Sequence, residues 1–113
     1  MPHFVIEYSR QIADTVDLET IMDCVFYAAV GSEVMLPEDI KVRAVGFDYY
    51  RVAGKKSSFI HVTASLLDGR TDRQKERIAC LVRSALAELL PKVISISIDV
   101  RDMNSVAYKK RLL

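Results

Sequence analysis

Within residues 93–100 (Val93-Ile94-Ser95-Ile96-Ser97-Ile98-Asp99-Val100) apolar and polar side chains alternate from Ile94 onward, the period-two signature of a half-buried strand. A period near 3.6 replaces it over residues 71–90. There Ile78, Leu81, Val82, Ala85, Leu86 and Leu89 share one face, Thr71 is placed to cap the start and Pro91 ends the run, which predicts an amphipathic helix. The same two periods occur earlier in the chain. Residues 4–8 are short and β-prone and predict a first strand; Asp17 then opens a stripe of Leu18, Ile21, Met22, Val25 and Ala29 that predicts a helix stopped by Gly31. Leu36-Pro37-Glu38-Asp39 reads as a loop, residues 40–50 as a second strand, Gly54-Lys55-Lys56-Ser57-Ser58 as a turn and residues 59–67 as a third strand. The short connection predicts that the third strand pairs antiparallel with the second. Asp68-Gly69-Arg70 closes the third strand, and residues 104–113 form a basic tail, in which Lys109-Lys110-Arg111 is expected to be a frayed, solvated terminus.

The element order is therefore strand, helix, strand, twice over, with a repeat offset of 56 that matches Ser9 to Ser65, Thr15 to Thr71, Cys24 to Cys80 and Ile40 to Ile96. This predicts an α+β domain spanning residues 1–113, in which two β-α-β units form a four-stranded mixed sheet. Right-handed crossovers put both helices on one face of it. Strand parity sends Ile94, Ile96, Ile98, Ile60, Val62 and Ala64 toward the helices, and Ser95, Ser97, His61 and Thr63 the other way. That second face also carries Val5, Val45 and Phe59, a mixture too apolar to be left wet, which favours a homo-oligomer packed through the sheet over a monomer with a ligand there.

Composition narrows the function. A chain of 113 residues buries about two thirds of its unfolded surface, enough for a core without metal or disulfide staples. Sixteen Lys and Arg against 15 Asp and Glu leave a net charge of +1, which offers no basic excess for nucleic acid. The strand 59–63 (Phe59-Ile60-His61-Val62-Thr63) also lacks the aromatic pattern of an RNA-recognition module, and no glycine-rich phosphate loop is present. No apolar window is long enough for a membrane span, and residues 1–7 have neither the basic nor the long apolar region of a secretion signal, so a cytoplasmic location is expected. Cys24 and Cys80 are expected to pack as small hydrophobes, and His3 and His61 lack partners at metal-ligand spacing.

Candidate chemistry centres on Pro2. Removal of Met1 exposes a secondary amine, and a terminal amine with an ordinary pKa of about 7.7–8.0 becomes a base near neutrality once burial and nearby cations lower it. Lys41 and Arg43 share one parity of the second strand, and Arg70 stands where a helix N-terminus adds positive potential, so the three are candidates for holding carboxylates. Arg73, Lys75, Glu76 and Arg77 read as exposed helix charges. Tyr49, Tyr50 and Tyr108 are candidates for an apolar pocket, with packing in the core or an interface as the default.

The ordered set Met-Pro-His-Phe-Val-Ile-Glu-Tyr-Ser at the start, Leu36-Pro37, Phe59-x-His61-x-Thr63, Gly69-Arg70 and Tyr108-Lys109 resembles the 5-carboxymethyl-2-hydroxymuconate isomerases of the tautomerase superfamily. The resemblance implies a homotrimer with no cofactor and no metal, acting on a small unsaturated carboxylic acid. It implies Pro2 as the base that takes a proton from the 2-hydroxyl side or a carbon of the acid and returns it at C-5, and Arg70 as a catalytic and substrate-binding group. Arg43 matches the second of two family strand arginines; Lys41 stands in place of the first, keeping the charge but losing the bidentate fork. Two alternatives stay open: another Pro2-dependent reaction such as decarboxylation or hydration, and a noncatalytic ligand-binding module.

Overall fold

The structure is a computed structural model that describes all residues 1–113. Its strands are β1 (His3–Ser9), β2 (Lys41–Phe47), β3 (Phe59–Leu67) and β4 (Ser95–Met103), and its helices are α1 (Leu18–Gly31) and α2 (Asp72–Leu89). The sheet order is β2-β1-β3-β4. β1 runs parallel to β2, β3 runs parallel to β4, and the two units meet in the centre through antiparallel β1 and β3.

This arrangement corrects the expected β2–β3 hairpin. Each β-α-β crossover returns its second strand beside its own first strand, so β2 and β4 become the two edges and β1 and β3 share the middle. Residues 48–58 are then a long connection across the sheet end, containing only an isolated Val52–Lys55 bridge. β2 also stops at Phe47, short of Tyr50, and β4 begins at Ser95, not Val93. Ile94 consequently lies outside the pleat at 70% exposure, with its N–H donated to Ser58 Oγ, where parity had sent it toward the helices.

Elsewhere the pleat sorts the side chains as expected. Phe4, Ile6, Ile60, Val62, Ala64 and Leu66 are completely buried beneath Ile21, Val25 and Ala29 of α1 and Ile78, Val82 and Leu86 of α2. Ile96, Ile98 and Val100 pack against that core from the open edge. The Tyr8 ring lies over Gly46 of β2, where an added Cβ would come within 2.9 Å of the ring and its hydroxyl, so only glycine allows this approach. Neither helix is long and apolar enough to cross a membrane.

Helix ends follow local chemistry. Thr71 Oγ accepts from the Gln74 N–H at 3.1 Å while Gln74 Oε1 accepts from the Thr71 N–H at 2.9 Å, a reciprocal capping box. Asp17 occupies the N-cap of α1 without a side-chain bond. α1 stops at Gly31, but the left-handed residue after it is Glu33, with φ 61°. Arg77 and Lys75 are less free than their helical positions predict. Arg77 Nε donates to Ser32 O at 2.9 Å, tying α2 to the end of α1, and Lys75 pairs with Asp72 and Asp102.

The repeat is real but its offset drifts. Buried Ile21, Val25 and Ala29 correspond to Ile78, Val82 and Leu86, an offset of 57, whereas the N–H groups of Lys41 and Ser95 both donate to the residue before the first strand of their unit, Pro2 O (3.0 Å) and Ser58 O (3.2 Å). Cys24 and Cys80 are therefore not equivalent. Cys24 is half-buried, and burial with Glu88 nearby raises its pKa; Cys80 is exposed, because it lies about 200° around α2 from Ile78. This corrects the expectation that both pack inside.

Candidate active site

Pro2 leads into β1 and is fully buried, its carbonyl held by the Lys41 N–H. The β1–β2 register then sets His3 opposite Lys41 and Val5 opposite Arg43, on the face away from the helices. Lys41 is half-buried and its Nζ donates to the Asp39 carbonyl at 3.3 Å. From the other unit, Gly69 turns the chain between β3 and α2 with φ 112°, a conformation suited to glycine. Arg70 follows it, half-buried, with Nη1 donating to Leu67 O at 3.1 Å immediately before the α2 N-terminus.

These elements converge on the chain terminus. The terminal amine on Met1 is held below its usual value of 8.0, first by burial, then by the positive charge of Arg70, with Lys110 and Lys41 acting in the same direction and Asp39 opposing them. Lys41, bonded through its N–H to the Pro2 carbonyl, and Arg70 thus both act on the terminus beside Pro2. Arg43 is not among the charges felt there. It is exposed, and its Nη1 donates instead to His3 Nδ1 at 3.1 Å.

An arginine donates only, so that bond leaves His3 Nδ1 as an acceptor and puts the ring proton on Nε2, which donates to Tyr108 Oη at 2.9 Å. Burial, then Arg43, Lys41, the terminal amine and Lys110, lower the His3 pKa from 6.5. The unfolded chain therefore takes up a proton before the folded one does, and this contribution to stability, complete above pH 6.5, is lost as pH falls through the lowered value. Urea midpoints measured between pH 7.5 and 5 are expected to drop toward acid, and a His3→Gln variant to flatten that part of the slope.

Sequence reasoning missed Asp39, Lys110 and the use made of His3 and Tyr108. The one available signal was Tyr108-Lys109 near the end of an otherwise basic tail. Tyr108 is half-buried against His3, so the tail is anchored at this point, while residues 109–113 are exposed as expected. His61 is a hydrogen-bonding residue, its Nδ1 2.7 Å from Ser97 Oγ. Tyr50 packs beside Phe59, whereas Tyr49 is 93% exposed and lines nothing.

Two β-α-β units joined through a central antiparallel pair, both helices on one face, and a buried proline at the start of the first strand define a protein of the tautomerase fold. Residues 2–111 match the family model of 5-carboxymethyl-2-hydroxymuconate isomerase, and the chain belongs to that family of isomerase enzymes. Among solved structures it is similar to a 5-carboxymethyl-2-hydroxymuconate delta-isomerase (21% identity, 99% of this chain and 88% of that one, TM-score 0.75). It is also similar to a 5-carboxymethyl-2-hydroxymuconate isomerase from Deinococcus radiodurans R1 (13%, 97% and 88%, 0.75) and to a fused 4-OT wild-type symmetric trimer (14%, 96% and 90%, 0.78). No curated protein matches this sequence significantly.

Proposed function

We propose that this isomerase ketonises an unsaturated 2-hydroxy acid of the 5-carboxymethyl-2-hydroxymuconate type, using the Pro2 nitrogen as base after Met1 is removed. The observation that carries the proposal is the setting of Pro2, buried at the start of β1 with its carbonyl held by the Lys41 N–H, next to a terminus on which the charges of Arg70 and Lys41 act. Loss of Met1 moves the terminal amine one residue inward, onto the Pro2 ring, where nearby positive charge disfavours its protonated form. A neutral secondary amine then takes the proton from the 2-hydroxyl side of the dienol and returns it at C-5. Arg70 binds the acid and stabilises the dienolate, and Lys41 binds beside it with a single ammonium in place of a fork. Arg43, two pairs further along the same strands, is held beside His3.

No surface concavity of the single chain is lined by Pro2, Lys41 or Arg70. The outer sheet face, with Val5, Phe47 and Phe59 among polar neighbours, supports assembly through that face, and the similarity to a fused 4-OT trimer supports three copies. Light scattering is expected to give three chain masses; a monomer would remove this part of the proposal.

The test of the reaction combines intact mass with an ultraviolet assay of 2-hydroxymuconate ketonisation. Activity is expected to track the fraction of chains that lack Met1. A mass showing Met1 retained throughout a fully active sample would refute Pro2 as the base, and with it this mechanism.

A further inference from the structure

Pro2 and Arg70 both lie beyond the ladder that joins their strands. The antiparallel pairing of β1 with β3 ends at His3 opposite Ser65, so Pro2 and the Asp68-Gly69-Arg70 loop continue past that end on neighbouring strands. The loop is loosely packed at its centre. Gly69 has φ 112°, and a Cβ added there would meet nothing within 4 Å.

A separate segment bridges this gap. After β4, Ala107 and Tyr108 donate their N–H groups to Asn104 O at 3.1 and 3.0 Å, and the Val106 N–H donates to Asn104 Oδ1 at 2.9 Å, so residues 104–108 close into a compact turn. One side of this turn holds the loop. The Asp68 N–H donates to Met103 O at 3.1 Å, and Asp68 Oδ2 accepts from the Ser105 N–H at 3.4 Å, two residues before Arg70. The other side holds the start of β1. Tyr108 Oη accepts from His3 Nε2 at 2.9 Å, one residue after Pro2, and the two rings meet edge to face at 5.8 Å between centroids. Arg43 fixes the His3 tautomer that makes this donation.

We propose that the C-terminal turn is a positioning element, its Asp68 and Tyr108 tethers together holding the Arg70 loop in place against the start of the chain. The assignment rests on the reading of the Pro2 end as the reaction site, but its main test reads position and not turnover. The tethers act in series, so cutting one releases the loop and cutting both adds nothing.

Arg70 lowers the terminal amine, and titration of that amine, followed by NMR on the isotopically methylated full chain, reports how closely the loop is held. Tyr108→Phe and Asp68→Ala are each expected to raise the amine pKa, the double variant by no more than either alone. Neither is expected to raise it in an Arg70→Ala background, as coupled residues require. Loss of the Asp68 charge acting directly would lower the amine pKa, so the sign separates the tether from a charge effect. Asp68→Asn keeps an acceptor for the Ser105 N–H and is expected to leave the amine unraised. In ketonisation, Tyr108→Phe is expected to lower kcat about tenfold, short of the loss of about 100-fold that a misplacement of about 1 Å can cause.

Amine titrations of Tyr108→Phe and Asp68→Ala that match wild type overturn the assignment, and so does a rise that survives in the Arg70→Ala background. Ketonisation that persists with a blocked terminus refutes only the Pro2 mechanism. A rise cancelled by Arg70→Ala alongside such persistence would still support the tether.

Discussion

A chain whose terminal nitrogen is blocked, by retained Met1 or by acetylation of the processed end, is expected to lose about 10²- to 10⁴-fold in ketonisation rate, the usual contribution of a positioned base. With Met1 in place the Pro2 nitrogen is an amide, its lone pair delocalised into the carbonyl, and it accepts no proton at neutral pH. Fold and charge are otherwise kept, so the loss reports chemistry. Pro2→Ala makes a sharper comparison, because alanine leaves a primary terminal amine of ordinary basicity at the same place. That variant is expected to keep a measurable part of the rate. Its circular dichroism should match wild type, since Pro2 contributes no backbone donor to the sheet. A blocked chain as fast as the processed one would show that the nitrogen takes no part.

Arg70→Ala is the second large effect. Removing an aimed cation from a partly dry site costs about 10²- to 10³-fold in rate. A second consequence follows from the electrostatics, because Arg70 is the largest charge lowering the terminal amine. Without it the amine pKa rises, a smaller fraction is neutral at pH 7, and the acid limb of the kcat/KM profile moves to higher pH. Arg70→Lys retains the charge and loses the fork, so it is expected to leave the limb near its wild-type position while still lowering the rate. Equal limbs in wild type and Arg70→Ala would disconnect Arg70 from the base.

Much of this site is legible in the sequence because its parts are local signals. Pro2 precedes a β-prone run, Arg70 follows the glycine of a turn, and Lys41 falls on a strand parity. What alternation and helical period do not encode is which strands become neighbours. The β2–β3 hairpin was inferred from a connection that joins consecutive strands, yet the crossovers make each strand pair within its own unit. The same blindness to long-range contact hid Tyr108, whose partner His3 lies 105 residues away, and the diversion of Arg43 onto that histidine. Cys80 shows a different error: a fixed offset of 56 placed it beside Cys24, although one added residue between strand and helix turns it outward.

The drifting repeat bears on how many reactions one chain runs. The second unit starts at Ser58, whose nitrogen is an internal amide; Ser95 takes the place of Lys41; and Ala13 or Asp14, depending on the offset used, stands where Arg70 maps across. An acid approaching that end meets a carboxylate or a methyl group in place of a guanidinium, and no terminal amine. If Pro2 is the base, stoichiometric labelling of the reactive amine is therefore expected to saturate at a single equivalent per polypeptide.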